Sequence, residues 1–100
     1  MAIKLDATNG AEQEQQAQHY AFAGQCHQEL GQLEEALKHY EISVKKDPIN
    51  SDHYYNRALV KSKLDKLEEA ILDFSKALDC NPNNKSTFNA TYNRGICYRK

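Results

Sequence analysis

This chain of 100 residues holds only four glycines and two prolines. That scarcity argues against a loop-rich layout and suits helices joined by short turns. No apolar run approaches the length of a membrane span. The opening Met1-Ala2-Ile3-Lys4-Leu5-Asp6 contains no signal-peptide apolar stretch. Cysteine is limited to Cys26, Cys80 and Cys97, an odd set without a CxxC pair. A disulfide framework is therefore not expected, and the thiols read as reduced ones of a cytoplasmic or nuclear protein. Cys26 and Cys97 fall where a small apolar residue would pack in a helix. Phosphate-binding glycine loops, dinucleotide motifs and nucleophile–base arrangements are all missing, which weighs against catalysis and against any cofactor. A net charge of −1 gives no general attraction to nucleic acid or to an acidic membrane. Asn84-Lys85-Ser86 and Asn89-Ala90-Thr91 match the glycosylation pattern, and without secretion that match reads as chance.

What the chain does contain is a repeat. Pro48 and Pro82 lie 34 residues apart, and residues 17–50 laid over residues 51–84 agree without a gap at nine positions. These are His19/His53, Tyr20/Tyr54, Leu30/Leu64, Leu33/Leu67, Glu34/Glu68, Glu35/Glu69, Ala36/Ala70, Pro48/Pro82 and Asn50/Asn84. A fixed period of this length, built from helix-like segments, is the signature of stacked helical hairpins. Such a stack works by offering a surface. Hydrophobic content of 40% and charged content of 27% are ordinary for one small globular domain. Charge is unevenly spread: residues 85–100 carry four basic residues and no acid.

Helical periodicity places the elements. Residues 1–10 end in polar, turn-forming Ala7-Thr8-Asn9-Gly10, and a flexible N-terminal segment is expected there. A helix is predicted over about residues 11–30, with Tyr20, Ala23, Gly24, His27 and Leu30 on one face and Gly31 as its stop. A second, over about 33–46, buries Leu33, Ala36, Leu37, Tyr40 and Val44 and exposes Glu34, Glu35, Lys38 and Glu41. Asp47-Pro48 closes it. The plan recurs as a helix over about 51–64, capped by Asn50 or Ser51, and another over about 67–80. Thr91-Tyr92-Asn93-Arg94-Gly95 then echoes Tyr54-Tyr55-Asn56-Arg57-Ala58 at a spacing of 37 rather than 34. Three extra residues near Lys85–Thr87 would add almost one helical turn or lengthen a loop. The last residues, 85–100, read as the first helix of an incomplete third repeat.

These residues resemble the tetratricopeptide repeat family. The family's succession of aromatic, small residue, alanine, aromatic, small residue and proline is held by Tyr20, Gly24, Ala36, Tyr40, Ser43 and Pro48. It returns as Tyr54, Ala58, Ala70, Phe74, Ala77 and Pro82. Ala23 and Arg57 depart from the usual leucine, and His27 and Lys61 from the usual tyrosine, which is expected to weaken packing locally. The resemblance implies an all-α, right-handed superhelical stack of about five helices. Since solenoids end in a polar capping helix, the chain is expected to belong to a longer array. A naturally short protein is the alternative.

Chemistry-bearing residues carry little further signal. His19, His27, His39 and His53 show no close zinc-motif spacing, so packed or solvated histidines are expected and no metal. Glu34-Glu35 and Glu68-Glu69 suit the positive first turn of a helix and do not form a carboxylate dyad. Tyr92, Arg94, Tyr98, Arg99 and Lys100 mix aromatic and basic side chains, yet on one short helix, and nucleic acid is not the expected partner.

The resemblance also implies a concave groove lined by the first helix of each repeat. Carried over by register, that groove would present Phe22, Tyr55, Leu59, Tyr92 and Ile96 as an apolar and aromatic stripe. Gln25, Asn56 and Asn93 would set amides beside it, with Lys63 at its edge. Packing between neighbouring helices is the other reading for Phe22 and Ile96, more so than for Tyr55 and Asn56. An extended or helical peptide of a partner protein suits this surface. The family's carboxylate clamp for heat-shock chaperone tails matches here only at Asn56. Ala21, Gln25, Asn89 and Asn93 stand where its other groups would be, so a chaperone tail is not expected to be gripped. The expected function is non-catalytic protein binding within a larger scaffold, adaptor or co-chaperone-like protein. The alternatives are homo-oligomerisation through an uncapped C-terminal helix exposing Ile96 and Tyr98, and a regulatory domain attached to an enzyme.

Overall fold

A computed structural model describes the backbone of residues 2–80 and 85–99 and the side chains of residues 12–80 and 89–99. It holds α1 (Ala2–Glu29), α2 (Leu33–Lys46), α3 (Ser51–Lys63), α4 (Leu67–Cys80) and α5 (Lys85–Arg99). Local chemistry explains the ends. Acids open α2 (Glu34, Glu35) and α4 (Glu68, Glu69), and Lys45 and Lys46 close α2, each matching the helix dipole. The Asn50 side chain caps α3 by accepting the Asp52 amide proton at 2.9 Å.

The turn between α1 and α2 repeats in that between α3 and α4, bond for bond. Gln32 N–H donates to the His27 carbonyl and Lys66 N–H to that of Lys61, both at 2.8 Å. Gly31 and Asp65 provide the left-handed residue this stop requires, with φ of 80° and 64°. Glycine takes that conformation freely. At Asp65 the Cβ makes it costly.

Helices α1 and α2 form one antiparallel hairpin and α3 and α4 a second; α3 packs on α2, and α5 packs on both α4 and α3. Because α1 also touches α3, and α3 touches α5, these three helices share one side of a body 51 × 29 × 20 Å. Two buried clusters hold the stack. Ala36, Leu37, Tyr40 and Val60 join the first hairpin to α3. Val44, Tyr54, Ala58, Ala70, Phe74, Ala77, Ala90 and Cys97 join the second hairpin to its neighbours. Among the described residues Phe74 and Tyr40 are the largest fully enclosed side chains, each contributing roughly 2–3 kcal/mol by burial. Their partners are small for a reason. A Cβ on Gly24 would lie 2.9 Å from the Tyr40 ring, so the larger ring in this hairpin demands the smaller residue opposite.

Three expectations change. Residues 2–10 do not form a separate segment: their backbone continues α1. Asn9 and Gly10 lower helix propensity by about 1 kcal/mol, but single weak residues inside a cooperative helix do not end it. The break in spacing after α4 resolves as added helix. Starting at Lys85, α5 buries Ala90 and Cys97, 37 residues beyond buried His53 and Val60. Finally, Arg57 and Lys61 do not merely loosen the second hairpin. Arg57 donates two bonds to Asp73, from Nε and Nη2, both at 2.7 Å. Lys61 Nζ lies 3.1 Å from the same carboxylate and 3.4 Å from Glu69. The hydrogen bond to Asp73 holds the Arg57 guanidinium even more firmly protonated than usual.

Candidate functional site

Between α1 and α3 lies an open depression of about 300 Å³. Gln18, Ala21, Phe22 and Gln25 enter from α1 at helical spacing; Asn50, Asp52, His53 and Asn56 enter from the start of α3. Phe22 is 68% exposed although large and apolar. The flanking amides of Gln18, Gln25 and Asn56 can donate and accept at once, as an extended backbone needs. A second depression shares Asn50 and Asp52 and adds Glu14, Asp47, Ile49, Ser51 and Cys80. That end of the surface is therefore acidic.

His53 closes the floor. It is buried, neither ring nitrogen has a hydrogen-bond partner, and Nε2 stands 3.9 Å from Asp47. Burial lowers its pKa, an effect that Asp47 and Asp52 partly oppose.

At the α3–α5 junction the side chains are committed to one another. The Tyr55 ring is half-buried, tilted against Phe74 with ring centres 5.9 Å apart. Asn93 Nδ2 lies 3.3 Å from the Tyr55 hydroxyl and donates to the Asn89 carbonyl at 2.9 Å. Leu59 packs on the same core. Ile96 is half-buried, while Lys63 and Tyr92 stand exposed. Packing thus claims Tyr55, where register made it less expected, and leaves Phe22 exposed; half-buried Ile96 agrees with the packing alternative given for it. The structure gathers Phe22, Gln25 and Asn56 into one depression and ties Tyr55 to Asn93 at the next junction. Sequence reasoning did not place Asn50 and His53 in the lining. Asn50 carried only a helix-cap signal, and His53 only its equivalence to His19.

Other chemistry is sparse. Among the described residues no group of three or more His, Cys, Asp or Glu is placed to hold a metal ion. Arg94, from the mixed aromatic and basic run, bonds Ser75 at 3.1 Å. No helix among the described residues is long and apolar enough to cross a membrane.

Comparison with known proteins agrees with this architecture. Models of the tetratricopeptide repeat match residues 17–50 and 51–84. The first such domain of Spaghetti (RPAP3), bound to the HSP90 peptide SRMEEVD, is 25% identical with a TM-score of 0.76. That alignment covers 84% of this chain and 66% of that one, just under two thirds. The second Spaghetti domain, bound to the same peptide, is 26% identical with a TM-score of 0.78, covering 88% and 79%. The Arabidopsis OM64 domain, at 21% identity, 0.79 TM-score and coverage of 87% and 69%, shares the fold. No curated protein matches the chain. With both repeat models covering residues 17–84 and the helical hairpins stacked as described, this chain belongs to the tetratricopeptide repeat family, a protein-interaction fold.

Proposed function

We propose that this chain is a non-catalytic binding module that takes a peptide segment of a partner protein along the face shared by α1, α3 and α5. The observation carrying this reading is the α1–α3 depression, where exposed Phe22 stands among the amides of Gln18, Gln25 and Asn56. An apolar side chain of the peptide would cover Phe22 while the amides bond its backbone. Leu59, Lys63, Tyr92, Asn93 and Ile96 would extend the contact toward α5, with Tyr55 as a wall. A place in a larger scaffold, adaptor or co-chaperone-like protein of the cytoplasm fits such a module.

The two Spaghetti domains hold an HSP90 peptide, so a chaperone tail is the first ligand to test. Those neighbours point mildly toward such a partner, against the sequence expectation. The expectation of weak binding rests on Ala21, Asn89 and Asn93 being uncharged where the clamp has cations; Asp47 and Asp52, which line the neighbouring depression, add to it. An acidic tail would there lose charge-assisted bonds. NMR shift mapping with SRMEEVD and with an uncharged peptide of equal length tests both points. The uncharged peptide should move Phe22, Gln25 and Asn56 at lower concentration. Shifts confined to the outer faces of α2 and α4 would sink the groove reading, and tighter binding of SRMEEVD would restore the chaperone tail.

Self-association is the second reading, favoured by one observation. A Cβ on Gly95 would meet nothing within 4 Å, and Tyr98 beside it is 68% exposed. The equivalent Ala58 is fully buried.

A further inference from the structure

His27 on α1 and His39 on α2 are 12 residues apart in sequence, yet their ring centres lie 4.8 Å apart across the first hairpin. Each ring is oriented by a bond at Nδ1: His27 to Gln32 Oε1 at 2.6 Å, His39 to the Glu35 carbonyl at 2.8 Å. A carbonyl oxygen only accepts, so Nδ1 of His39 carries the proton; the Gln32 oxygen imposes the same form on His27. In the neutral rings both lone pairs then sit on Nε2. Metal-binding histidines are held this way, with the second nitrogen fixed by an outer partner.

The juxtaposition does not depend on these two rings alone. Lys61 and Asp73, 34 residues further along at the equivalent places, meet at 3.1 Å. The backbone therefore brings this pair of positions together in both hairpins. The ring centres lie 4.8 Å apart with the planes tilted by 31°, a separation that two metal–nitrogen bonds of about 2.0–2.1 Å can span.

We infer that His27 and His39 form a two-histidine site for a divalent transition-metal ion, which clips α1 to α2 while water completes the coordination. The site lies apart from the peptide depression and does not rest on the peptide-binding reading.

Calorimetric titration of the untagged chain with Ni²⁺ and with Zn²⁺ tests the inference. Saturable binding of one ion per chain is expected, together with a rise in melting temperature. His27→Ala and His39→Ala should each weaken binding at least tenfold, whereas His19→Ala should leave it unchanged. His39→Gln serves as a second variant if His39→Ala melts early; it keeps side-chain bulk without the imidazole. Binding indifferent to His39 would overturn the site, as would binding lost on Cys26→Ser but kept in His39→Ala, or no saturable binding below millimolar ion.

Discussion

The two hairpins are built on one backbone plan and solve the same contact differently. In the first, His27 faces His39, Tyr20 lies beside them, and a tyrosine occupies the core opposite a glycine. In the second, Lys61 and Arg57 converge on Asp73, and a phenylalanine occupies the core opposite an alanine. The first hairpin places two imidazole rings where the second places an ion cluster. The repeat thus specifies which positions meet, and the side chains placed there decide how firmly and with what chemistry.

Breaking the charged contact should have the largest effect. Asp73→Ala leaves the guanidinium of Arg57 and the ammonium of Lys61 enclosed without their shared carboxylate, and should cost about 3 kcal/mol in urea unfolding. His39→Ala, the equivalent change in the first hairpin, should cost less than about 1 kcal/mol. Equal losses would mean that the ion cluster contributes no more than the histidine pair.

Alkaline pH should bear on the first hairpin through Tyr40. Burial, with Cys26 and Glu29 adding to it, pushes the Tyr40 phenol up to about 12. The folded chain then keeps its proton where the unfolded chain gives it up. The stability tied to this group is fully present below the unfolded tyrosine pKa, about 10, and is lost as pH rises toward about 12. The loss amounts to roughly 2–3 kcal/mol. Tyr40→Phe, which makes the first hairpin resemble the second at Phe74, should remove most of that decline. At neutral pH it should cost only about 1 kcal/mol, for the hydroxyl's bond to Gln28. An unchanged alkaline limb would assign the decline to another group.

The smallest effect is at the turns. Asp65→Gly should stabilise the chain by about 1 kcal/mol by relieving a left-handed residue that bears a Cβ. Gly31→Ala should destabilise it by a similar amount. Thermal melts of the two variants, moving in opposite directions, would confirm that both turns impose the same backbone conformation.

The 34-residue period fixed the register, the turn positions, the paired acids that open α2 and α4 and the end of α2 before Pro48. All of these are local: capping, dipole and propensity act within a few residues. The family resemblance, carried over by register, grouped Phe22, Gln25 and Asn56, and these three line one depression. Tyr55 escaped it. That side chain lies on the face the groove would use, but Phe74 and Asn93 reach it from α4 and α5. Arg57 and Lys61 escaped it as well: spacing places them, but not Asp73 opposite them.

By itself, then, the sequence determined a stack of helical hairpins and its family. Only the tertiary structure decided which side chains stay exposed, as Phe22 does, and which are spent on the fold, as Tyr55 is. The cause is physical. A period records the direction a side chain takes from its own helix, whereas burial, ion pairing and the convergence of His27 with His39 depend on what a neighbouring helix brings to the same place.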